Sequence, residues 1–347
     1  MSQTASRIDS TLSEVFGFSE FRKGQREIIE SIVSGTDTLA VMPTGGGKSI
    51  CYQLPAVISH GVALVVSPLI SLMKDQVDSL AKIRVNAAYI NSSLSTSEIQ
   101  SRVDTAMAGR IKLLYVAPER FESRRFLEQL QSLRLSFLAV DEAHCISEWG
   151  HDFRPSYKSI GKIFEYVQRL PIIALTATAT PEVQDDICKS LALEQPKRMI
   201  RGFDRPNLSY FTQRTHAKVE AIEEIIRKTK KGSTIIYCGS RKSVDEITDS
   251  LKKSGIPALP YHAGYPDKYR NFVQDKFISD SAKVIVATNA FGMGIDKPDV
   301  RNVIHTGYTG TLEAYYQEAG RAGRDGLPAV CTMLYEERDR KLQEYFI

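Results

Sequence analysis

Residues 42–49 read Met42-Pro43-Thr44-Gly45-Gly46-Gly47-Lys48-Ser49. The stretch follows the apolar run Leu39–Met42 and opens a helical pattern over Gly47–Ile58. Glycines between a strand and a helix let the backbone turn tightly and aim N–H groups at phosphate oxygens, and the helix N-terminus adds its positive end. Thr44, Gly45, Gly46 and Gly47 form such a cradle; Lys48 would reach the β and γ phosphates of a nucleotide, and the Ser49 hydroxyl would hold Mg²⁺. The usual phosphate-loop pattern has Gly where Met42 stands, so the three consecutive glycines before Lys-Ser carry the reading. The competing reading is an ordinary Gly-rich turn with a surface lysine.

Downstream, Asp141-Glu142-Ala143-His144 ends the apolar run Leu138–Val140. In a parallel sheet, ligands collect beyond the C-terminal ends of the strands, so a carboxylate there lies beside the phosphate loop. Asp141 is the candidate Mg²⁺ ligand, and Glu142 the candidate base that orients and deprotonates an attacking water. Alone, Asp-Glu after a strand could be a solvated turn; with the phosphate loop upstream it points to nucleoside triphosphate hydrolysis.

Short β-rich runs alternate with amphipathic stretches, the pattern of parallel sheet in an α/β fold. Strands are expected at Leu39–Met42, Ala63–Ser67, Leu113–Val116, Phe137–Val140 and Ile172–Thr176, with helices at Leu69–Ile83 and Phe126–Ser132. A second series follows residue 207, with strands at Thr234–Cys238, Ala258–Tyr261, Lys283–Thr288, Asn302–Thr306 and Ala329–Leu334 and helices at Val244–Ser254 and Asp267–Ser279. The Pro-, Arg- and Gly-rich stretch Glu194–Asn207 lacks periodicity and is read as the linker. Two α/β domains are therefore expected, 1–205 and 206–347.

The 347 residues are 42% hydrophobic, enough for a core in each domain. No window reaches about 18 uninterrupted apolar residues, so no membrane helix is expected. The N-terminus lacks the apolar stretch of a secretory signal. Five scattered cysteines, none in a C-x-x-C pair, indicate neither a disulfide frame nor a zinc site. They fit a reducing compartment. A net charge of +4 permits a polyanionic partner without arguing for one.

The ordered set of motifs resembles superfamily 2 helicases, and specifically the RecQ family of DNA helicases. The resemblance rests on Phe16–Gln25, Met42–Ser49, Ser67–Gln76, Tyr115–Arg120, Asp141–Pro155, Leu175–Ala179, Ala287–Pro298 and Tyr316–Gly326, in family order along almost the whole chain. It implies two tandem RecA-like domains, each a mostly parallel sheet with flanking helices, with ATP in the interdomain cleft. The family's adenine-binding motif falls on Phe18, Arg22 and Gln25, where many relatives carry Tyr for Phe18. Without the family, Phe16, Phe18 and Phe21 read as a core patch. The aromatic-rich loop that couples single-stranded DNA to hydrolysis falls on Trp149, His151, Phe153 and Arg154, and aromatics there suit stacking on unpaired bases. Trp149 and Phe153 also admit a reading as buried loop anchors. Thr176 and Thr178 resemble the motif linking ATP to DNA, though Thr-Ala-Thr is also an ordinary strand end.

In the second domain, Gln317, Arg321 and Arg324 resemble the motif that faces ATP, with Arg324 the leading arginine finger and Arg321 second. Thr288, Gly292, Gly294 and Asp296 resemble the motif touching both DNA and nucleotide. Where relatives commonly have a Pro-containing turn, this chain has Gly307–Thr311. It also lacks the family's four-cysteine zinc and winged-helix modules, so no zinc is expected, and strong duplex binding and processive unwinding do not follow from the resemblance. The implied activity is ATP- and Mg²⁺-dependent translocation, 3′ to 5′, on single-stranded DNA and strand separation of tailed or forked duplexes, in repair, recombination or replication. A monomer is expected, without membrane association, in a bacterial cytoplasm at the nucleoid or in a eukaryotic nucleus. Two rivals are an RNA helicase of the same superfamily and a non-motor module that uses ATP as a switch.

Overall fold

The strands are short apolar runs whose alternate residues enter different cores. Leu39 and Val41 join one buried cluster, Ala40 and Met42 another; Leu64 and Val66 part from Ala63 and Val65 in the same way. A strand buried on both faces needs apolar residues at every position, and burying each large one contributes roughly 1.5–3 kcal/mol.

The structure is a computed structural model that describes residues 3–150, 152–202, 204–229, 231–292 and 297–340. The chain divides into two compact units, Met1–Phe203 and Asp204–Ile347. The first runs α1 (Gln3–Glu14), α2 (Gln25–Val33), β1 (Thr38–Val41), α3 (Ile50–Ile58), β2 (Val62–Val66), α4 (Ile70–Lys82), β3 (Ala87–Ile90), α5 (Thr96–Met107), β4 (Leu113–Val116), α6 (Arg124–Leu130), β5 (Leu135–Val140), β6 (Ile172–Thr176), α7 (Pro181–Ser190) and β7 (Lys197–Ile200). Among the described residues these strands form a seven-stranded sheet in the order β3-β4-β2-β5-β6-β1-β7, every pairing parallel.

The second unit runs β8 (Leu208–Arg214), α8 (Lys218–Lys228), β9 (Ser233–Tyr237), α9 (Arg241–Lys253), β10 (Ala258–Tyr261), α10 (Asp267–Ile278), β11 (Val284–Ala287), β12 (Val300–His305), α11 (Leu312–Ala319) and β13 (Ala329–Tyr335). Its described strands form a six-stranded parallel sheet, β10-β11-β9-β12-β13-β8. Here too the faces alternate: Ile235 and Tyr237 enter one core, Ile236 and Cys238 the other. Each unit is thus a helix-flanked parallel sheet of the RecA-like kind. No helix among the described residues is long and apolar enough to cross a membrane.

The stretch read as the linker contains a strand. Lys197–Ile200 pairs with β1 from Thr38↔Lys197 to Val41↔Ile200, and only Met199 of the four is buried. An edge strand with one core residue carries no apolar run, which is why it reads as irregular. The division between the units follows it at Phe203/Asp204, placing Arg205 with the second unit.

Candidate active site

Parallel pairing puts all strand C-termini of the first unit on one edge of its sheet. β5, β6 and β1 are neighbours, with Val140 opposite Ala174 and Thr176 opposite Val41. Strands lie about 4.8 Å apart, so the ends carrying Asp141 and the phosphate loop are about 10 Å from each other, with Thr176 between.

The phosphate loop leaves β1 through a turn closed by Gly46 N–H donating to Pro43 O at 2.9 Å. Gly47 has φ +74°, and a Cβ there would come within 2.5 Å of the Gln25 amide nitrogen, so only glycine fits. Thr44 is buried, and Lys48 and Ser49 are half-buried. Ser49 precedes α3 without capping it through its side chain.

Gln25, 4% exposed, is held at both ends of its amide. Its oxygen accepts from Arg22 N–H at 2.9 Å, and its nitrogen donates to Gly46 O at 3.2 Å and Gly47 O at 3.1 Å. The Arg22 guanidinium donates to Gly45 O. The candidate adenine segment and the phosphate loop are therefore one hydrogen-bonded piece. The three neighbouring phenylalanines separate: Phe16 and Phe21 pack against the core, while Phe18 is 53% exposed. An exposed aromatic is available for stacking.

Asp141 is buried, with its backbone N–H still paired to Val66 O at 2.9 Å and its carboxylate accepting from Glu142 N–H at 2.9 Å. Burial, with the Glu142 charge beside it and Lys48 opposing, pushes the Asp141 carboxyl up to about 7. Glu142 takes the left-handed conformation, φ 47° and ψ 46°. For a non-glycine residue that costs on the order of 1–3 kcal/mol. Crowded carboxylates with one disfavoured in its charged form are the situation a divalent cation relieves. Ser49 and Asp141 supply hard oxygens, which suit Mg²⁺.

His144 ties these carboxylates to the next strand. Its Nδ1 lies 2.8 Å from Thr176 Oγ1 and 3.4 Å from Glu142 Oε2. Thr176 donates its own proton to Thr178 O at 3.0 Å, so Nδ1 carries the hydrogen in the contact with Thr176. Thr176 and Thr178 are both buried in this network.

The loop after His144 is braced from within. Arg154 donates to Asp152 from Nε at 3.2 Å and Nη2 at 3.1 Å, and to Pro68 O from Nη1 at 2.9 Å. His144, Cys145 and Asp152 bring one donor atom each within 4.8 Å of one another. Asp152 is already neutralised by Arg154, so the cluster is a brace for the loop. Trp149 is 80% exposed and is no core anchor. Phe153 is half-buried, with Lys158 Nζ at 5.1 Å from its ring centroid. His151, Gly294 and Asp296 lie outside the described residues.

In the second unit, Gln317 and Arg324 are half-buried, whereas Arg321 is 5% exposed and donates to Gly292 O. Arg321 thus pins the turn after α11 from inside. Thr288, just past β11, lines a cavity of about 1180 Å³ with Ser240, Arg241, His305, Thr306 and Tyr308. Two residues that the sequence reading assigned to the linker also reach the turn: Arg205 donates to Gly320 O, Ala322 O and Gly323 O, and Asn207 to Gly323 O and Leu327 O. Guanidinium-to-carbonyl contacts have no spacing signal in a sequence.

Residues 22–187 match the family described as DEAD/DEAH box helicase, and residues 217–326 match the helicase conserved C-terminal domain. The chain is 46% identical over 343 residues to ATP-dependent DNA helicase RecQ of Bacillus subtilis (strain 168), covering 98% of this chain and 58% of that protein. It is 45% identical over 345 residues to the probable ATP-dependent DNA helicase RecS of the same organism, covering 98% of this chain and 69% of that protein. The solved structure of DEAD-box helicase Mss116 bound to ssRNA and UDP-BeF is similar in fold, with a TM-score of 0.78 at 19% identity over 99% of this chain and 77% of that one. The chain spans little more than half the length of the RecQ relatives it matches.

Proposed function

The chain belongs to the RecQ family of DNA helicases, and we propose on that premise that it hydrolyses ATP to move along single-stranded DNA, 3′ to 5′, separating tailed or forked duplexes. The observation that carries the reading is the shared sheet edge that sets the phosphate loop beside Asp141–Glu142, with His144 tying Glu142 to Thr176 at the start of the loop that exposes Trp149. In this reading Phe18 and Arg22 sandwich adenine, Gln25 bonds the base edge by exchanging its contacts with Arg22 N–H and the loop carbonyls, and Thr44–Gly47 and Lys48 hold the phosphates. Mg²⁺, held by Ser49 and Asp141, would neutralise charge on the phosphates. Glu142 takes the proton of the attacking water, and His144 fixes its orientation. Arg324 offers a cation to the transferring phosphoryl group and Gln317 faces the nucleotide with it, while Arg321 holds that turn from inside. Trp149, His151, Phe153 and Arg154 meet unpaired bases or the strand backbone, with Thr176, Thr288 and Asp296 relaying between DNA and nucleotide. The work belongs to repair, recombination or replication, in a nucleoid or a nucleus, by a monomer.

The test is ATP turnover without nucleic acid, with single-stranded DNA and with single-stranded RNA, followed by strand separation on 3′-tailed and 5′-tailed duplexes. Stimulation by DNA and unwinding of the 3′-tailed substrate support the reading. Equal or greater stimulation by RNA points to an RNA helicase, and absence of turnover to a nucleotide-dependent switch.

A further inference from the structure

We propose that Arg205 and Asn207 are positioning residues for Arg324: a two-residue brace that sets the backbone of the arginine turn and so aims its side chain. The inference rests on the reading of Arg324 above. It starts from the end of α11, where helix-terminal carbonyls need donors and the helix dipole favours a cation.

Arg205 supplies both. Its Nη1 donates to Gly320 O at 3.2 Å, and its Nη2 to Ala322 O and Gly323 O at 2.9 Å each. Asn207 Nδ2 donates to Gly323 O and Leu327 O, both at 2.9 Å. The two braces meet at Gly323 O, the carbonyl of the peptide that leads into Arg324. The turn is fitted to them: Gly323 has φ +55°, and a Cβ there would stand 2.4 Å from Asn207 Nδ2 and 2.8 Å from Leu327 O. From the other side Gly323 N–H donates to Val300 O at 2.9 Å, and Arg321 is turned inward onto Gly292 O.

Every peptide around Arg324 thus has a fixed direction, and the brace holds the peptide immediately before it. Rotating that peptide redirects the side chain. A misplacement of about 1 Å in a transition-state contact costs on the order of 10²-fold in rate. The planar fork of Arg205 serves three carbonyls at once, which a lysine ammonium on a flexible stem does not.

The experiment measures DNA-stimulated kcat, KM for ATP and single-stranded DNA affinity in the full chain for Arg205→Ala, Arg205→Lys, Asn207→Asp, Arg324→Ala and the double variant Arg205→Ala/Arg324→Ala. Thermal midpoints are recorded for each, and assays run below the lowest of them. The brace predicts that Arg205→Ala lowers kcat roughly 30- to 100-fold with KM and DNA affinity within about twofold. Arg205→Lys restores little, and Asn207→Asp, which faces two carbonyls with a carboxylate, also lowers kcat. The double variant should be no slower than Arg324→Ala alone, because the brace acts only through Arg324. A loss confined to KM, full rescue by lysine or additive losses in the double variant would overturn the proposal. Full activity of Arg324→Ala would sink the finger assignment itself; full activity of Arg205→Ala beside an impaired Arg324→Ala would sink the brace alone.

Discussion

At the scale of single residues, the phosphate loop and the carboxylates separate binding from chemistry. Lys48→Ala removes a cation from the phosphates, so ATP affinity and turnover should both fall. Glu142→Gln keeps the shape and the hydrogen-bonding reach but not the base, so ATP should still bind while turnover is lost. Fluorescent-nucleotide titration beside steady-state hydrolysis checks both, and near-normal turnover of Glu142→Gln would remove Glu142 as the base. Trp149→Ala should leave basal hydrolysis and the melting temperature nearly unchanged, because the ring is 80% exposed. It should blunt stimulation by single-stranded DNA, since stacking contributes about 1–3 kcal/mol per base. A drop in thermal midpoint with stimulation intact would show a packing role instead. Residue-level reading from sequence singles out the phosphate loop, Asp141 and Glu142 as candidates, because the proposed chemistries need fixed residue types at fixed spacing. It missed Arg205, whose partners are backbone carbonyls more than a hundred residues away.

Among the elements, what was readable is what is buried on both faces. β2, β4 and β11 are continuous apolar runs, and β1, β5, β6 and β9 carry such a run beside a Ser or Thr, so all seven stand out. β3, β7 and β8 escape because they are edge strands with one buried residue each, Ile90, Met199 and Leu208, whereas the edge strand β10 is buried at three of its four positions and stands out. The β7 edge is held by polar contacts instead. Asp37, 5% exposed, accepts from Ile172 N–H and Glu194 N–H at 2.7 Å each and pairs with Arg169, while its carbonyl accepts from Lys197 N–H at 2.8 Å. One carboxylate therefore pins the starts of β1 and β6 and the approach to β7. Asp37→Ala should cost about 3 kcal/mol, the Arg169 contribution being reduced by its partial exposure. That corresponds to a fall of roughly 6–12 °C in the melting temperature of a unit this size. Calorimetry on the full chain is the check, and a fall below about 2 °C would mean that backbone pairing alone holds the edge.

For the whole molecule, the proposed chemistry is divided between the units, the nucleotide-holding residues in the first and Arg324 in the second. A fragment of residues 1–203 should bind ATP but hydrolyse it poorly, and adding residues 204–347 separately should restore little. Full DNA-stimulated turnover by the first fragment would leave Arg324 without a catalytic role. The cut itself matters. A second-unit fragment beginning at residue 206 lacks Arg205 and should melt at a lower temperature than one beginning at 204, because three carbonyls of the arginine turn lose their donor. Equal melting temperatures would show that the turn holds without it.

The edge strand β8 has a further consequence, for handling rather than catalysis. Its seven residues, Leu208–Arg214, contain neither Pro nor Lys, and Tyr210 and Phe211 are 46% and 57% exposed. β13 is its neighbour on one side, and among the described residues the other side ends the sheet. An edge strand with exposed aromatics is a template for another copy. Solutions of the 204–347 fragment should therefore turn turbid with concentration and storage time, and light scattering should rise steeply where a well-guarded edge would stay flat. Phe211→Lys, which places a solvated charge on that margin, should keep the same solutions clear without altering the fold.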